Sequence, residues 1–378
     1  MNVTDASQFD LSVNLSRVEI VLVRAEISAP VRTSFGIMYD RPTLLLRVTD
    51  RSGVMGYGEI WCNFPVCGAA HRLKLVETEL APRITAAAFC TPHASYSAMS
   101  SQLHVLRLQS GEAGPIAQVI AGLDIAVWDM VARRAGVPVY VLLSAKRTVI
   151  PVYASAINPI GVLDAVNEAR TRGHRNFKVK IGFGYKTDYE NIKIIASNLR
   201  DDERFMLDAN QAWSPDEAKA AMQWITPFGP NWVEEPMPVD IPPEIWMQLK
   251  ESTTVPIAGA ENFITHGEYD QVIAEKWLDV VQPDIAKWGG FSECLPVAHA
   301  VVNAGLTFCP HSLGGGVALA ASAHLLAAAG GPGLLECDVN ENRLRDAVFS
   351  PPVKNGVMTL TAGPGLGVNT ELLNEQFD

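Results

Sequence analysis

Apolar and polar positions alternate along the first part of the chain as β-strands require. Short apolar runs over residues 18–27, 43–50 and 54–60 are separated by turn residues, of which Arg51-Ser52-Gly53 are the clearest. From residue 68 to 143 the apolar spacing becomes helical, most distinctly over AQVIAGLDIAVWDMVARRAG, which ends in glycine. The pattern predicts a small α+β domain over residues 1–145.

A second pattern begins near residue 149, where short apolar strands alternate with amphipathic helices. Eight strands are predicted, and eight alternating β and α units indicate a closed parallel barrel over residues 146–350. The last segment, 351–378, returns to strand and turn character and is expected to pack on the first domain. The predicted strands are TVIPVYAS, FKVKIG, RFMLDAN, NWVEEP, PIAGAE, DVVQPD, LTFCPH and GLLE.

A polar residue of chemical interest stands at the end of seven of these strands. Active sites of such barrels lie at the carboxyl ends of the strands. A single strand-end charge is most often a helix cap or a solvated loop residue, but a series that recurs every 23 to 28 residues favours one shared site. The series is Lys180, Asp208, Glu234, Glu261, Asp284, His311 and Glu336, with Lys178 two residues before the first.

Three of these residues, Asp208, Glu234 and Glu261, come from consecutive strands, so their carboxylates are expected to converge. Three neighbouring carboxylates repel one another and require a cation. Oxygen ligands without cysteine or histidine favour a hard ion, and room for water and substrate oxygens favours Mg²⁺ over Ca²⁺, with Mn²⁺ as a substitute. The alternative is a set of structural salt bridges to nearby lysines.

Two bases are predicted beside that site. Lys178 and Lys180 point to the same face of one strand, and their mutual repulsion, a nearby metal and desolvation are expected to lower the pKa of one of them. Asp284 and His311 end neighbouring strands, and a carboxylate against one imidazole nitrogen makes the other more basic. Glu336 is expected to be a protonated acid that donates a hydrogen bond to a developing oxyanion.

These groups together predict a reaction class. A metal-bound carboxylate substrate would present its α-carbon between two bases, which favours α-proton abstraction and electrostatic stabilisation of the resulting anion. The glycine run over residues 314–316 is interpreted as a tight loop, with an anion contact through backbone N–H groups as the alternative.

Composition narrows the range of partners. The chain has 30 Lys and Arg against 41 Asp and Glu, and a net charge of −11 argues against binding to nucleic acid or to an anionic membrane. No apolar run reaches the roughly 20 residues of a membrane span, and no signal-peptide pattern is visible, so a cytoplasmic protein is expected. Six scattered cysteines without a CxxC pair disfavour a zinc site.

The chain resembles the enolase superfamily, and within it the mandelate racemase subgroup of the mandelate racemase/muconate lactonizing enzyme family. The resemblance covers nearly the whole sequence and implies an α/β fold in which an α+β capping domain, completed by the C-terminal tail, covers a (β/α)7β modified TIM barrel. It is carried by AGLDIAVWDMVARRAGVPVYVLL, FKVKIG, MLDANQ, WVEEP, AGAENF, VQPDIAKWGG, CPHS, LLE and PGLGV.

The resemblance also implies roles for individual residues. Lys180 and His311 would be the acid/base pair, with His311 oriented by Asp284. Lys178 would touch the substrate carboxylate, and Asn210 would line the site. The remaining implied roles are Mg²⁺ ligation by Asp208, Glu234 and Glu261, a hydrogen bond from Glu336 to the enediolate, and assembly into a homo-oligomer, a dimer or an octamer.

Specificity in the family is set by two loops of the capping domain, expected here near residues 32–41 and 60–68. Arg32, Tyr39 and Arg41 are candidates for recognising hydroxyls or a second carboxylate of a small-molecule substrate. Trp61, together with Phe35 and Met38, is a candidate for an apolar wall.

The favoured hypothesis is a Mg²⁺-dependent enzyme that forms a metal-stabilised enediolate from an α-hydroxy carboxylate, and specifically a sugar-acid dehydratase. The alternatives are a racemase or epimerase of a 2-hydroxy acid and a cycloisomerase of a sugar-acid lactone. A metal-binding barrel without turnover is disfavoured because every expected base is present. A metal-dependent hydrolase is disfavoured because histidine-rich metal ligation is missing from the pattern.

Overall fold

The computed structural model describes residues 9–378. The first eight residues, which belong to the N-terminal segment without a signal-peptide pattern, lie outside the described residues. The chain opens with a three-stranded antiparallel sheet in the order β1-β2-β3. Its register places Leu22 opposite Leu44 and Leu45 opposite Glu59. The strands are β1 (Leu15–Arg32), β2 (Ile37–Asp50) and β3 (Met55–Ile60).

Helices cover this sheet, and the longest of them, α5 (Ala113–Arg134), forms the centre of the first domain. This helix lies so close to β3 that a Cβ on Gly58 would be 2.1 Å from the carbonyl oxygen of Gly122. This helix is long and apolar enough to cross a membrane, but 89% of its apolar window is buried inside the protein, as expected of a core helix. The helices are α1 (Gly68–Leu75), α2 (Ala81–Thr85), α3 (Pro92–Gln102), α4 (His104–Ser110), α5 (Ala113–Arg134) and α6 (Val139–Leu142), with a π-helical turn, Val76–Leu80, between α1 and α2.

The second region contains all eight predicted barrel strands. They pair in parallel in the order β10-β9-β8-β7-β6-β5-β4, and β11 pairs with β4. The strands are β4 (Val149–Ile157), β5 (Asn176–Lys180), β6 (Arg204–Asp208), β7 (Val233–Glu234), β8 (Ile257–Gly259), β9 (Val280–Val281), β10 (Thr307–Phe308) and β11 (Leu335–Asp338).

One helix connects each strand to the next, which gives the (β/α)7β arrangement and confirms the predicted fold class. The seven helices form the outer layer. They are α7 (Val162–Thr171), α8 (Tyr185–Asn198), α9 (Pro215–Ile225), α10 (Pro243–Glu251), α11 (His266–Glu275), α12 (Gly290–Asn303) and α13 (Gly316–Ala329), and a 3₁₀ turn, Thr226–Phe228, follows α9.

The C-terminal segment contacts both regions. After α14 (Arg343–Val348), the hairpin β12 (Val353–Lys354) and β13 (Val357–Thr359) pairs antiparallel with β4 of the barrel. The chain then returns to the first domain, where the N–H of Leu366 donates to Asp129 at 2.6 Å. The final helix, α15 (Thr370–Glu375), contacts the sheet through a hydrogen bond from the Tyr57 hydroxyl to Asn374.

Candidate active site

A cavity of about 240 Å³ lies where the carboxyl ends of the barrel strands face loops of the first domain. It brings together six of the residues predicted from the sequence: Lys180, Asn210, Glu261, His311, Trp61 and Phe35. The other lining residues are Thr33 and Phe64 from the first domain and Gln211, Asn262, Lys287 and Leu313 from the barrel. The first domain therefore contributes a mainly aromatic wall, and the barrel contributes the polar groups.

Strand register and backbone bends deliver these side chains to one place. Lys180 pairs with Asp208, and Asp208 pairs with Glu234, so the ends of β5, β6 and β7 are level. Immediately beyond the strands the backbone adopts positive φ at several non-glycine residues, a costly conformation that clusters at functional sites. These residues are Asn210, Gln211, Glu235 and Ala260.

The two lysines of β5 are buried among carboxylates. Lys178 Nζ lies 2.5 Å from Glu234 and 2.7 Å from Glu336, and Lys180 Nζ lies 2.6 Å from Asp208. Burial lowers the pKa of each lysine, but the adjacent carboxylates outweigh it and leave both pKa values above the ordinary range. In these ion pairs each ammonium group has an anionic partner, so the lowered lysine pKa stays a prediction for the site with a bound metal.

His311 and Asp284 form the predicted pair. Nδ1 of His311 lies 2.7 Å from Oδ2 of Asp284, and Nε2 lies 3.0 Å from Oε2 of Glu261. Burial lowers the pKa of the imidazole, but Glu261, Glu336 and Asp284 together raise it well above its ordinary value. The backbone N–H of Ala286 donates to the other oxygen of Asp284 at 2.8 Å, which holds that carboxylate in place.

Glu336 differs from the expected acid donor. Burial raises the pKa of its carboxyl group, but the opposite effect of Lys178 and His311 is larger. The resulting pKa is about 2, so the group is ionised. It accepts hydrogen bonds from the Ser155 hydroxyl and from the backbone N–H of Ser312. Because cationic and donor groups surround it, Glu336 acts in this arrangement as an acceptor that holds Lys178 and Ser312.

Several predicted substrate contacts lie outside the cavity. Tyr39 is 73% exposed and lines a separate groove together with Met38. Arg32 is exposed, and its backbone N–H donates to Asn158. Arg41 is buried, with its guanidinium 2.6 Å from Asp338. Of the capping-loop side chains singled out, Trp61 and Phe35 line the cavity. Lys178 of β5 is not among the lining residues.

Lys287 is a lining residue that the sequence analysis did not single out. Its Nζ lies 2.9 Å from Oε1 of Glu261 and 3.1 Å from the side-chain oxygen of Asn262. It also lies 4.7 Å from the ring centre of Trp61, a cation–π contact between the barrel and the first domain. In the sequence, the one signal for Lys287 is its position three residues after Asp284. A single lysine in a loop belongs to no periodic pattern, so the sequence does not distinguish it from a solvent-exposed loop residue.

The N–H of Gly315, in the glycine run over residues 314–316, bonds to a side chain of the first domain. Glu59, on β3 of the first domain, accepts hydrogen bonds from the N–H groups of Gly315 and Ala318. A Cβ on Gly314 or Gly315 would lie 2.8 or 2.9 Å from the Glu59 carboxylate oxygens. The run is thus a tight loop, as interpreted, and its anion is a side chain of the protein itself.

The donor chemistry fits a hard divalent cation, although the side chains are arranged as ion pairs. Within residues 9–378, no set of three His, Cys, Asp or Glu side chains closes on a metal position. Six buried carboxyl groups nevertheless outnumber the four cationic groups around them, which are Lys178, Lys180, Lys287 and His311. The six are Asp208, Glu234, Glu235, Glu261, Asp284 and Glu336. Burial is the largest cause that raises the pKa of Glu234 to about 7, with Asp208 and Glu336 adding to the rise, so this carboxylate lacks full compensation.

Two family models match the chain. The mandelate racemase/muconate lactonizing enzyme N-terminal domain matches residues 16–144, and the enolase C-terminal domain-like model matches residues 161–372. Together they cover most of the sequence.

Individual relatives are similar over most of their length. D-galactarolactone cycloisomerase from Agrobacterium fabrum is 31% identical over 70% of this chain and 75% of its own. Arabinonate dehydratase from Saccharolobus solfataricus is 28% identical over 70% and 73%. Among solved structures, a mandelate racemase/muconate lactonizing enzyme from Bordetella bronchiseptica is 43% identical, with TM-score 0.91 and coverage of 97% and 99%. A racemase from Streptomyces coelicolor with bound magnesium is 25% identical, with TM-score 0.85 and coverage of 96% and 99%.

Proposed function

The chain belongs to the mandelate racemase/muconate lactonizing enzyme family of the enolase superfamily, and on that premise we propose that it is a Mg²⁺-dependent sugar-acid dehydratase. The observation that carries the proposal is the joint presence of Lys180 and His311 in one cavity beside Glu261. Two nitrogen bases on non-neighbouring strands can address a substrate α-carbon from different sides. Relatives that dehydrate or cycloisomerise sugar acids support the choice of substrate class.

Asp208, Glu234 and Glu261 are the residues proposed to hold the metal, because they are the carboxylates at the ends of three successive strands. These three carboxylates would hold Mg²⁺ through their oxygens, and the bound ion would supply Lewis-acid polarisation of the substrate carboxylate. Mn²⁺ is proposed as a substitute because it accepts the same oxygen ligands.

The proton steps involve the chain's own side chains. Lys180 Nζ and His311 Nε2 are protonated in their ion pairs, so the group that serves as base must first release its own proton. The neutral nitrogen then accepts the α-proton, and the C–H electron pair passes into the substrate carboxylate to give an enediolate. The β-hydroxyl then leaves as water after His311 donates a proton, and the resulting enol tautomerises to a 2-keto acid. Asp284 fixes the His311 imidazole through the 2.7 Å contact to Nδ1. Asn210 contacts Lys180 at 2.7 Å and orients its ammonium group.

Lys178 is proposed to be a positioning residue. Its side chain is 1% exposed and its ammonium group lies between Glu234 and Glu336, so it acts on the site through those two carboxylates. Trp61 is proposed to cover the substrate from the first domain. The roles expected for Arg32 and Tyr39 would require their loop to change position.

A second candidate function, racemisation or epimerisation, is favoured by the same two bases. If one base removes the α-proton and the other returns a proton to the opposite face, the configuration inverts and no water leaves. The cycloisomerase among the relatives adds a third outcome, the opening or closing of a lactone.

A substrate screen separates these outcomes. Mono- and diacid sugars, their lactones and simple 2-hydroxy acids are incubated with the purified protein and Mg²⁺, and 2-keto product is measured. Keto product from a sugar acid supports the dehydratase. Inversion or lactone conversion without keto product would replace it with the corresponding isomerase. We also propose a cytoplasmic homo-oligomer, a dimer or an octamer, which size-exclusion chromatography with light scattering tests.

A further inference from the structure

Two buried carboxylates of the first domain hold the starts of two consecutive barrel helices. Glu59 on β3 accepts hydrogen bonds from Gly315 and from Ala318, the latter at 3.0 Å, at the start of α13. Asp124 on α5 accepts from the N–H of Ser292 at 3.0 Å and from its hydroxyl at 2.6 Å, at the start of α12. Each supplies partners to N–H groups that a helix start leaves unpaired.

Both contacts require glycine in the backbone next to the carboxylate, in addition to the hydrogen bonds themselves. A Cβ on Gly290 would lie 2.3 Å from Oδ2 of Asp124, so the helix start can approach the carboxylate only as glycine. Gly314 and Gly315 are limited in the same way by Glu59. Both carboxyl groups are at most 2% exposed, so no solvent can replace either one as an acceptor.

The helices so held follow directly from the loops that carry Asp284 and His311. Asp284 lies six residues before the start of α12, and His311 lies five residues before the start of α13. Other contacts from the first domain reach the same two loops. The N–H of Trp61 donates to Ala286 at 3.4 Å, and the side-chain amide of Asn63 donates to the carbonyl of Leu313 at 2.6 Å.

We propose that Glu59 and Asp124 are positioning residues through which the first domain sets the geometry of the His311–Asp284 pair. The inference rests on the proposed function, because it concerns the base that acts from the His311 side. Lys180 lies on β5, whose following helix, α8, is not held by either carboxylate. Loss of Glu59 should therefore impair proton transfer at His311 much more than at Lys180.

The test is a ratio measured within one protein sample. In D₂O with Mg²⁺, α-proton exchange is followed for both C2 epimers of the acid that the screen identifies, and Lys180→Ala and His311→Asn assign each epimer to its base. Glu59→Ala should lower the ratio of His311-side to Lys180-side exchange at least about tenfold, since displacements near 1 Å cost rates of that order or more. Asp124→Asn should lower the ratio in the same direction.

Asp129→Asn is the matched control. Asp129 is also a buried carboxylate of α5, but it accepts from Tyr57 and Leu366 within the first domain and the tail. In Asp129→Asn the ratio of His311-side to Lys180-side exchange should stay at the wild-type value. Partial unfolding does not change this ratio, because both exchange rates are measured on the same protein sample. A wild-type ratio in Glu59→Ala would overturn the inference. If that variant does not fold, Glu59→Gln, which keeps one acceptor oxygen, and Asp124→Asn decide it.

A second readout does not depend on turnover. The imidazole ¹⁵N signals of His311, assigned by their loss in His311→Asn, report the hydrogen bond to Asp284. They should shift in Glu59→Ala and not in Asp129→Asn, and unchanged signals in both would contradict the positioning role. Failure of the wild type to exchange either epimer would instead count against the proposed function, and the ¹⁵N shifts would still test Glu59. Mg²⁺ affinity, measured by titration calorimetry, should be equal in the wild type, Glu59→Ala, Asp124→Asn and Asp129→Asn.

Discussion

Nδ1 of His311 lies 2.7 Å from Oδ2 of Asp284, and the loops that carry them are joined again where the N–H of His311 donates to the carbonyl of Pro283 at 3.2 Å. Because Nδ1 is committed to the carboxylate, only Nε2 is available to exchange protons with a substrate. The pair therefore gives the proposed reaction one base with a defined nitrogen.

His311→Asn should lose exchange of the α-proton that faces this base. The expected loss is about 10² to 10⁴-fold, the usual range for removing a general base. Exchange at the opposite face should remain within about twofold of wild type, since Lys180 is untouched. Mg²⁺ should still bind, because all three proposed carboxylate ligands are retained. Nuclear magnetic resonance in D₂O measures the exchange, and undiminished exchange at both faces would remove His311 from the mechanism.

Lys180→Ala should produce the complementary loss. Its Nζ lies 2.6 Å from Asp208 and lines the cavity, so removing it eliminates the second base. Dehydration or racemisation that starts at this face should fall by about 10² to 10⁴-fold. Lys186→Ala, an exposed lysine on α8, is the control and should keep wild-type rates. Equal activity of the two variants would argue against a role for Lys180.

Glu234→Ala should weaken Mg²⁺ binding. The carboxylate is buried in register with Asp208, so its loss takes away one of three proposed oxygen ligands. Titration calorimetry should show an affinity at least about tenfold lower, as for other changes that disturb a metal site. Glu244→Ala, an exposed glutamate on α10, should bind Mg²⁺ like the wild type. Unchanged affinity in Glu234→Ala would contradict the three-carboxylate site.

Asp124 should make stability depend on pH. Burial outweighs the hydrogen bonds from Ser292 and raises the pKa of its carboxyl group from 3.8 to about 7. Between about pH 4 and 7 the native state therefore holds a proton that the unfolded state has released, and this contribution to the free energy of unfolding falls as pH rises.

Asp124→Asn lacks this titration. Its free energy of unfolding relative to wild type should rise by a few kcal/mol between about pH 4 and pH 8, following the linkage of about 1.4 kcal/mol per pKa unit. Urea denaturation of both proteins across that range measures the difference. A difference that stays constant with pH would show that Asp124 is ionised in the folded protein throughout.

The strand pattern was enough to predict the barrel and most of its polar groups. Lys180, Asp208, Glu234, Glu261, Asp284 and His311 recur at the spacing of one βα unit, so local sequence places each of them at the end or just beyond the end of a strand. Where a prediction needs only periodicity and position along a strand, the sequence is sufficient.

Contacts between distant segments were not predictable in this way. Glu59 reaches a helix start more than 250 residues away, and Arg41 pairs with Asp338 rather than with the cavity. The protonation of Glu336 depends on Lys178 and His311 from other strands. Each of these contacts depends on how the first domain or an opposite strand packs in three dimensions. The spacing of residues along a single sequence does not predict such packing.

The most direct test of the central claim is α-proton exchange by the wild-type protein in D₂O. Sugar acids and 2-hydroxy acids are incubated with and without Mg²⁺, and the α-hydrogen signal of recovered acid and the α-deuterium of any product are measured. The account predicts Mg²⁺-dependent loss of the α-hydrogen for at least one acid, abolished by EDTA and by the double variant Lys180→Ala/His311→Asn. Retention of the α-hydrogen in an acid that the enzyme nevertheless converts would contradict proton abstraction at that carbon.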